Sequence, residues 1–357
     1  MISKKLSDAF QVTYLYAIIL VVAIHYNTKK FIDISGDIPV NFLIQEFITN
    51  GIARTAVPFF ALSAGFFFFY KFKALHDYYP LLKKRIRTIV IPYLLASTFI
   101  FAIEFLYHSG YKGIDFPINP LRDILLAPLA IQFWFLRDLL ILLVISPFIW
   151  LLTRYLGVLF ILVIVGFWLV IDVEFMPYLE GRRLITIETL AFFSLGCWLS
   201  LNIRTLELLV GMVSRRQLAF LLLAYTALLS YRMYLDPFFS DDSSQAALFP
   251  LLLQNTSIIL GMFILLTINY QGCNKRILAL SSYTFFVFLF HELPLNRLIV
   301  KFSDYFILDA YKFYFIFPAA VILTLLLAVM LEKLLPAVYM LVTGGRGKNT
   351  VLKRINS

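Results

Sequence analysis

The chain has 357 residues, of which 61% are hydrophobic and only 15% are charged. A soluble domain would contain about 25% charged residues, so this composition excludes an ordinary soluble enzyme or binding domain. The net charge of +10 comes with no nucleic-acid-binding motif, and we therefore expect no nucleic-acid partner.

Apolar segments of about 20 residues recur along the whole chain, and each is long enough to cross a bilayer as a helix. They leave no room for a soluble domain. We therefore predict one membrane-embedded domain over residues 1–357, with an all-α fold of about ten transmembrane helices. The predicted spans are residues 10–28, 48–70, 86–108, 129–153, 156–173, 184–202, 217–235, 248–269, 279–299 and 314–342.

Lysine and arginine set the predicted orientation. With a cytoplasmic N-terminus, the inside segments hold eighteen Lys and Arg residues and the outside loops hold ten. Cytoplasmic loops of membrane proteins carry such an excess. The sequence therefore predicts that both termini are cytoplasmic.

The first predicted span contains "AIILVVAIHYN", residues 17–27, an apolar run that closes on His25. An imidazole is costly in hydrocarbon and usually marks a functional site. With this topology, polar residues of other spans lie at the same outer depth: Arg54, Glu104, His108, Gln132, Trp134, Arg137, Asp138, Glu188, Gln254, Asn255, His291 and Glu292. They predict a polar pocket, open outward, in which His25 acts as general base or acyl carrier.

Interfacial side chains that extend to water offer an alternative explanation of this polar set. The residues to which it applies best are Glu292, His108 and Asp138. We also expect His291 to lie nearer the surface than His25. Arg54 fits this explanation less well because its neighbours are apolar, so we expect it to meet a carboxylate, either Glu188 or Asp138.

A basic stretch, "KFKALHDYYPLLKKRIRTIVIPYL", separates the second and third predicted spans. Its basic residues crowd the start of the third span at Lys83, Lys84, Arg85 and Arg87. Ordinary cytoplasmic charge in contact with anionic lipid would explain them. The alternative is a binding site for a polyphosphate such as coenzyme A, to which arginine and lysine donate charge-assisted hydrogen bonds.

Five of these stretches resemble motifs of the membrane acyltransferase-3 family. "YLYAIILVVAIHYN" is similar to its first helix, which closes on an essential histidine, here His25. The other four, "ARTAVPFFALSAGFFFF", "KKRIRTIVIPYL", "FWFLRDLLILLVISPFI" and "LSSYTFFVFLFH", resemble its second, third, fourth and a late helix, in that order. One position departs from the pattern: Tyr14 stands where many members carry a basic residue, eleven positions before the histidine.

The resemblance implies a ten-helix bacterial enzyme of the cell inner (plasma) membrane. Such an enzyme takes an acyl group, commonly acetyl, from cytoplasmic acyl-CoA. It delivers the group to a hydroxyl of an extracytoplasmic sugar in a polysaccharide or lipid-linked glycan. The expected partners are acyl-CoA, the glycan acceptor and membrane lipids, with no permanently bound cofactor and no metal.

We assign roles on this basis. His25 is the expected catalytic imidazole, Glu188 its orienting carboxylate, and Arg54 or Arg137 the stabiliser of the oxyanion. The expected donor-binding residues are Lys83, Lys84, Arg85 and Arg87. The expected acceptor-binding residues are Trp134, Asp138, His291 and Asn255. Direct transfer and an acyl-histidine intermediate both remain open.

Two other functions remain open from the sequence. A transporter or exporter would need a solvent route for its substrate and would not depend on acyl-CoA. A non-catalytic subunit of an envelope-polysaccharide pathway would use its polar residues for helix packing and would tolerate loss of His25.

The predicted orientation can be tested by cysteine labelling in a chain whose native Cys197 and Cys273 are replaced. Single cysteines in the 71–87 loop and near the C-terminus should react only with reagents that enter the cytoplasm, because both segments carry the positive-inside excess. Labelling of both segments from outside would reverse the topology.

Overall fold

The structure, a computed structural model, describes residues 2–27, 39–108, 129–170, 185–239 and 248–347, together with Ile124 and the pairs 178–179 and 182–183. Helices dominate these residues, which confirms the predicted all-helical class. The one sheet within the described part is an antiparallel pair of two-residue strands, Tyr178–Leu179 and Arg182–Arg183.

Thirteen helical segments make up the described chain. They are α1 (Lys4–His25), α2 (Val40–Phe69), α3 (Leu75–Leu106), α4 (Ile131–Leu156), α5 (Val158–Val170), α6 (Ile187–Leu201), α7 (Ile203–Met212), α8 (Arg215–Phe239), α9 (Leu248–Gln271), α10 (Arg276–Phe290), α11 (Leu295–Ser303), α12 (Asp309–Leu334) and α13 (Pro336–Val342).

Seven of the described helices are long and apolar enough to cross a membrane, and the number rises to nine if each bent pair is one span. The bent pairs are α6 with α7, at 96°, and α10 with α11, at 84°. The predicted span 156–173 corresponds to α5, which has 13 residues and is shorter than the roughly 20 that a span needs. The count of ten and the orientation of the termini therefore stay predictions.

Two predicted spans are not single continuous helices in the structure. Residues 279–299 do not form one straight helix, because α10 ends at Phe290 and the chain turns before α11. Pro294, which has no backbone N–H, lies at this turn. The predicted span 314–342 likewise ends at Leu334, and Pro336 begins the separate helix α13.

The closest helix contact is that between α2 and α6. A Cβ atom on Gly196 would lie 2.1 Å from the carbonyl oxygen of Leu62, and one on Gly65 would lie 2.2 Å from that of Phe193. Small residues of this kind let membrane helices bring their backbones together. The two helices run in the same direction, so their first residues lie at the same end of the bundle.

Helix α1 lies inside the bundle. Phe10 stacks on Phe66 of α2 with ring centroids 5.0 Å apart. On another side, Thr13 accepts a hydrogen bond of 3.0 Å from the Asn269 amide of α9. These contacts fix α1, and with it the position of His25 at its last residue.

Substituting Gly196 tests the close contact. Gly196→Ala should destabilise the protein by about 1–3 kcal/mol, because the new methyl group overlaps backbone atoms that cannot move aside. The matched control is Gly166→Ala, since a Cβ there meets no atom within 4 Å. Thermal unfolding in detergent should give a lower Tm for Gly196→Ala alone, and equal Tm values for the two variants would contradict this role.

Candidate active site

Two histidines meet at one end of the bundle, which we call the histidine end. The rings of His25, the last residue of α1, and His291, the residue after α10, have centroids 5.1 Å apart. His291 Nδ1 lies 2.9 Å from the carbonyl oxygen of Val287 and 3.1 Å from that of Phe288. A carbonyl only accepts, so Nδ1 carries the proton and Nε2 is the acceptor. No described group donates to Nε2.

Neighbouring contacts hold the two histidines in place. The Tyr26 hydroxyl donates to the carbonyl oxygen of His291, which joins the end of α1 to the end of α10. The Gln132 amide of α4 donates to the carbonyl oxygen of Leu289 at 3.4 Å. Three helices therefore position this pair.

The expectation that His291 lies nearer the surface than His25 is wrong. His291 has no exposed surface, whereas His25 is half-buried. The 84° bend after Phe290 explains the difference, because α11 turns away from the direction of α10 instead of continuing it.

Asp138 is also fully buried, so the interfacial explanation fails for it. Its carboxylate accepts hydrogen bonds from the Thr186 backbone N–H at 3.0 Å and the Thr189 hydroxyl at 3.3 Å. Arg137 Nη2 lies 3.4 Å from its other oxygen. Asp138 therefore ties α4 to the first turn of α6, where helix N–H groups have no partners of their own.

Arg54 lies within electrostatic range of Glu188. No ion pair among the described residues joins it to Glu188 or to Asp138. Arg54 is exposed, unlike the apolar setting expected for it, and its Nε donates to Asn50 Oδ1 at 2.8 Å. No contact among the described residues joins Glu188 to His25, so the proposed orienting role of Glu188 stays a prediction.

The sequence reasoning missed the residues that extend this polar stripe along α2. Asn50 donates to the Glu46 carboxylate, and Arg232 of α8 lies 3.9 Å from it. Glu46, Asn50 and Arg54 are spaced four residues apart, which places them on one helix face. That spacing was the available signal, but Glu46 lies before the predicted start of the span.

A second missed cluster joins α3 to α11. Arg297 pairs with the Glu104 carboxylate and lies over the Tyr107 ring, 4.6 Å from its centroid. His108 Nδ1 lies 3.8 Å from Glu104. Glu104 was noted as polar at this depth, but Arg297 was counted only as a loop charge.

The remaining predicted acceptor residues lie at the same end in different settings. Asn255 donates from its amide to the carbonyl oxygen of Trp168 at 3.1 Å, joining α9 to α5. Trp134 is half-buried at the start of α4 and packs edge-on against Phe135. Neither contacts the histidine pair among the described residues, and their roles in acceptor binding stay predictions.

The predicted donor residues lie at the start of α3, at the opposite, basic end. Lys83, Lys84 and Arg87 are exposed, whereas Arg85 is half-buried and lies over the Phe68 ring, 5.8 Å from its centroid. Arg85 also interacts electrostatically with the hydroxyl of Tyr14.

A series of aromatic contacts begins at Tyr14 and runs through the bundle. Tyr14 stacks on Phe60 at 5.6 Å, Phe60 packs on Phe135 at 6.3 Å, and Phe135 packs on Phe288 at 6.2 Å. Phe288 lies on α10, three residues before His291. Tyr14 itself shares a face of α1 with His25, through the intervening positions 18 and 21. The basic end and the histidine pair are thus connected by packed rings.

Comparison with known proteins gives one family match. The family model described as an acyltransferase domain, of the acyltransferase-3 type, matches residues 15–333. No curated protein matches the chain, and no solved structure does.

The geometry around Asp138 predicts a structural effect. Asp138→Asn should lower stability by about 1.5–3 kcal/mol, because charge-assisted hydrogen bonds are lost and a buried amide faces the Thr186 N–H. The control is Asp304→Asn, at a carboxylate half-exposed beside Lys312, where water screens the pair and its loss should change stability little.

Thermal unfolding of the purified variants would measure both effects. A normal Tm for Asp138→Asn, combined with a raised KM for the acceptor, would instead assign Asp138 to acceptor binding.

Proposed function

We propose, because this chain belongs to the membrane acyltransferase-3 family, that it transfers an acyl group from cytoplasmic acyl-CoA to a hydroxyl of an extracytoplasmic sugar. Acetyl is the proposed acyl group. The acceptor is a sugar of a polysaccharide or lipid-linked glycan of the cell envelope, and the protein lies in the bacterial inner membrane.

The contact between His25 and His291 carries this proposal. Acyl transfer to a hydroxyl needs a group that takes the hydroxyl proton or carries the acyl group. A half-buried imidazole beside a second imidazole, both fixed by helix ends, meets that need. His291 Nε2, to which no described group donates, is an acceptor within the same site.

The chemistry can follow either of two routes. In direct transfer, His25 accepts the proton of the sugar hydroxyl as its oxygen attacks the thioester carbonyl. The carbon–sulfur bond then breaks, and the coenzyme A thiolate takes up a proton. In the covalent route, a ring nitrogen of His25 attacks the thioester carbonyl, and the carbon–sulfur bond breaks to release the coenzyme A thiolate. The sugar hydroxyl oxygen then attacks the acyl-histidine, the bond between the acyl carbon and the ring nitrogen breaks, and the hydroxyl proton is taken up in place of the one that the thiolate needs. Both routes yield the sugar ester and free coenzyme A.

Charges at the two ends support binding of the two substrates on opposite sides. Lys83, Lys84, Arg85 and Arg87 would donate to the phosphates of acyl-CoA. The exposed Arg54, whose Nε donates to Asn50, would contact acceptor hydroxyls or stabilise the oxyanion. Trp134 would supply an aromatic face for a sugar ring.

His25→Ala tests the proposal. The variant should lose about 10²–10⁴-fold or more of the acyl-transfer rate, since a general base or a covalent carrier has been removed. Alanine suits an apolar helix, so the protein should still insert. The measurement is mass spectrometry of envelope glycans, which detects the acetyl increment, in cells that make equal amounts of wild type and variant.

His76→Ala is the matched control, because the His76 side chain is 83% exposed and lies at the basic end. It should keep wild-type acetylation. His291→Ala should lose activity in the manner of His25→Ala, as the two rings are in contact. Full acetylation by His25→Ala would remove the catalytic role and leave transport or an accessory function as the explanation.

A further inference from the structure

A glycine-rich turn follows α13 and packs on the basic stretch. Gly344 and Gly345 have φ angles of +63° and +82°, which residues with a Cβ rarely adopt. A Cβ on Gly344 would lie 2.7 Å from the carbonyl oxygen of Thr88. Glycine is therefore required for this turn to contact the backbone of α3.

The turn holds Arg346 against that backbone. Arg346 Nη1 donates to the carbonyl oxygens of Thr88 at 2.6 Å and Thr343 at 2.8 Å. The guanidinium carbon lies 3.9 Å from the centroid of the Phe285 ring. A guanidinium fixed by two carbonyls and a ring loses little further conformational freedom when it binds a ligand.

Arg346 binds the same turn of α3 that carries Arg85. Its Nη1 donates to the carbonyl oxygen of Thr88, three residues, or about one helical turn, after Arg85. Arg85 forms no ion pair with a carboxylate in the part of the chain that the structure describes. Two guanidinium groups about one helical turn apart can both donate to the phosphates of one ligand.

We propose that Arg346 is a further donor-binding residue, which together with Arg85 holds the diphosphate of acyl-CoA. This inference rests on the proposed function. The guanidinium group suits phosphate because its planar donors match two phosphate oxygens.

The surroundings of Arg346 favour the donor over a lipid headgroup. Phe285, on which Arg346 stacks, packs against Phe288 at 6.4 Å, and Phe288 belongs to the aromatic series that leads toward the histidine pair. An anion bound here would lie at the end of that aromatic series farther from His25. The arm that joins the diphosphate to the thioester would extend along the series toward His25.

The test measures binding of radiolabelled acetyl-CoA to the purified full-length protein in detergent. The Kd of Arg346→Ala should rise about tenfold or more, which corresponds to about 1.4 kcal/mol. Acetyl-pantetheine, which has the thioester arm but no phosphate, should bind wild type and Arg346→Ala equally. Arg154→Ala is the matched control, since Arg154 also stacks on a ring, that of Trp150 at 5.0 Å, and its acetyl-CoA Kd should not change.

Four results would overturn the inference. An unchanged Kd of Arg346→Ala for acetyl-CoA would remove Arg346 from the donor site while leaving the proposed function intact. Equal weakening of acetyl-CoA and acetyl-pantetheine would give Arg346 a structural role only. Competition by phosphatidylglycerol micelles as strong as that by coenzyme A would identify a lipid headgroup site. If wild type itself does not bind acetyl-CoA, the proposed donor fails, and this inference fails with it.

Two further variants apply if Arg346→Ala does not fold. Arg346→Lys keeps the charge but loses the planar pair of donors, so its Kd for acetyl-CoA should fall between those of wild type and Arg85→Ala. Gly344→Ala keeps Arg346 but displaces the turn from Thr88, and it should weaken acetyl-CoA binding without affecting acetyl-pantetheine. Wild-type Kd values in both variants would contradict the inference.

Discussion

The close approach of α2 and α6 at Gly65 and Gly196 is the contact on which the rest of the site depends. Lipid tails are as apolar as leucine, so helices in a membrane gain little from hydrophobic burial against each other and associate by close packing. This contact aligns the first residues of two helices that run in the same direction. Arg54 and Glu188 consequently lie at the same end of the bundle, within electrostatic range of each other, and the Thr186 N–H at the start of α6 donates to Asp138.

Polar groups at the histidine end are satisfied mainly across helices. Asp138 joins α4 to α6, Glu104 joins α3 to α11, and Tyr26 joins α1 to the end of α10. Each pair avoids the cost of an unpartnered buried group, which is about 1–3 kcal/mol and more for a charge. Among the described residues, His291 Nε2 has no hydrogen-bond partner, and neither do the nearby Gln132 Oε1 and Glu292 Oε2. Incompletely satisfied groups of this kind are expected where a substrate completes the site.

The sequence predicts correctly those features that depend on the length of the apolar runs and on the alternating direction of successive spans. Apolar runs fix which segments are helices, and alternating direction placed His25 and His291 at the same end before their contact was known. The sequence does not predict which side chains pair between neighbouring helices, because that depends on which helices pack together. Hydropathy also missed the turn at Pro294, since α11 is itself partly apolar, and it therefore misjudged the exposure of His291. Arg346 was missed because its position depends on a glycine turn rather than on any span.

The distance between the basic end and the histidine end fits the proposed reaction between substrates on opposite sides of the membrane. Tyr14 and His25 are eleven residues apart on one helix, or about 16 Å, which is roughly half of a hydrocarbon core about 30 Å thick. A donor held by its phosphates beside Tyr14 would therefore need to extend only its uncharged arm through the packed rings. Contacts with the non-reacting part of a substrate can be used to position its reacting atoms. Charge recognition at one end would then determine where the thioester carbonyl rests at the other, beside His25, without moving a charged group across the membrane.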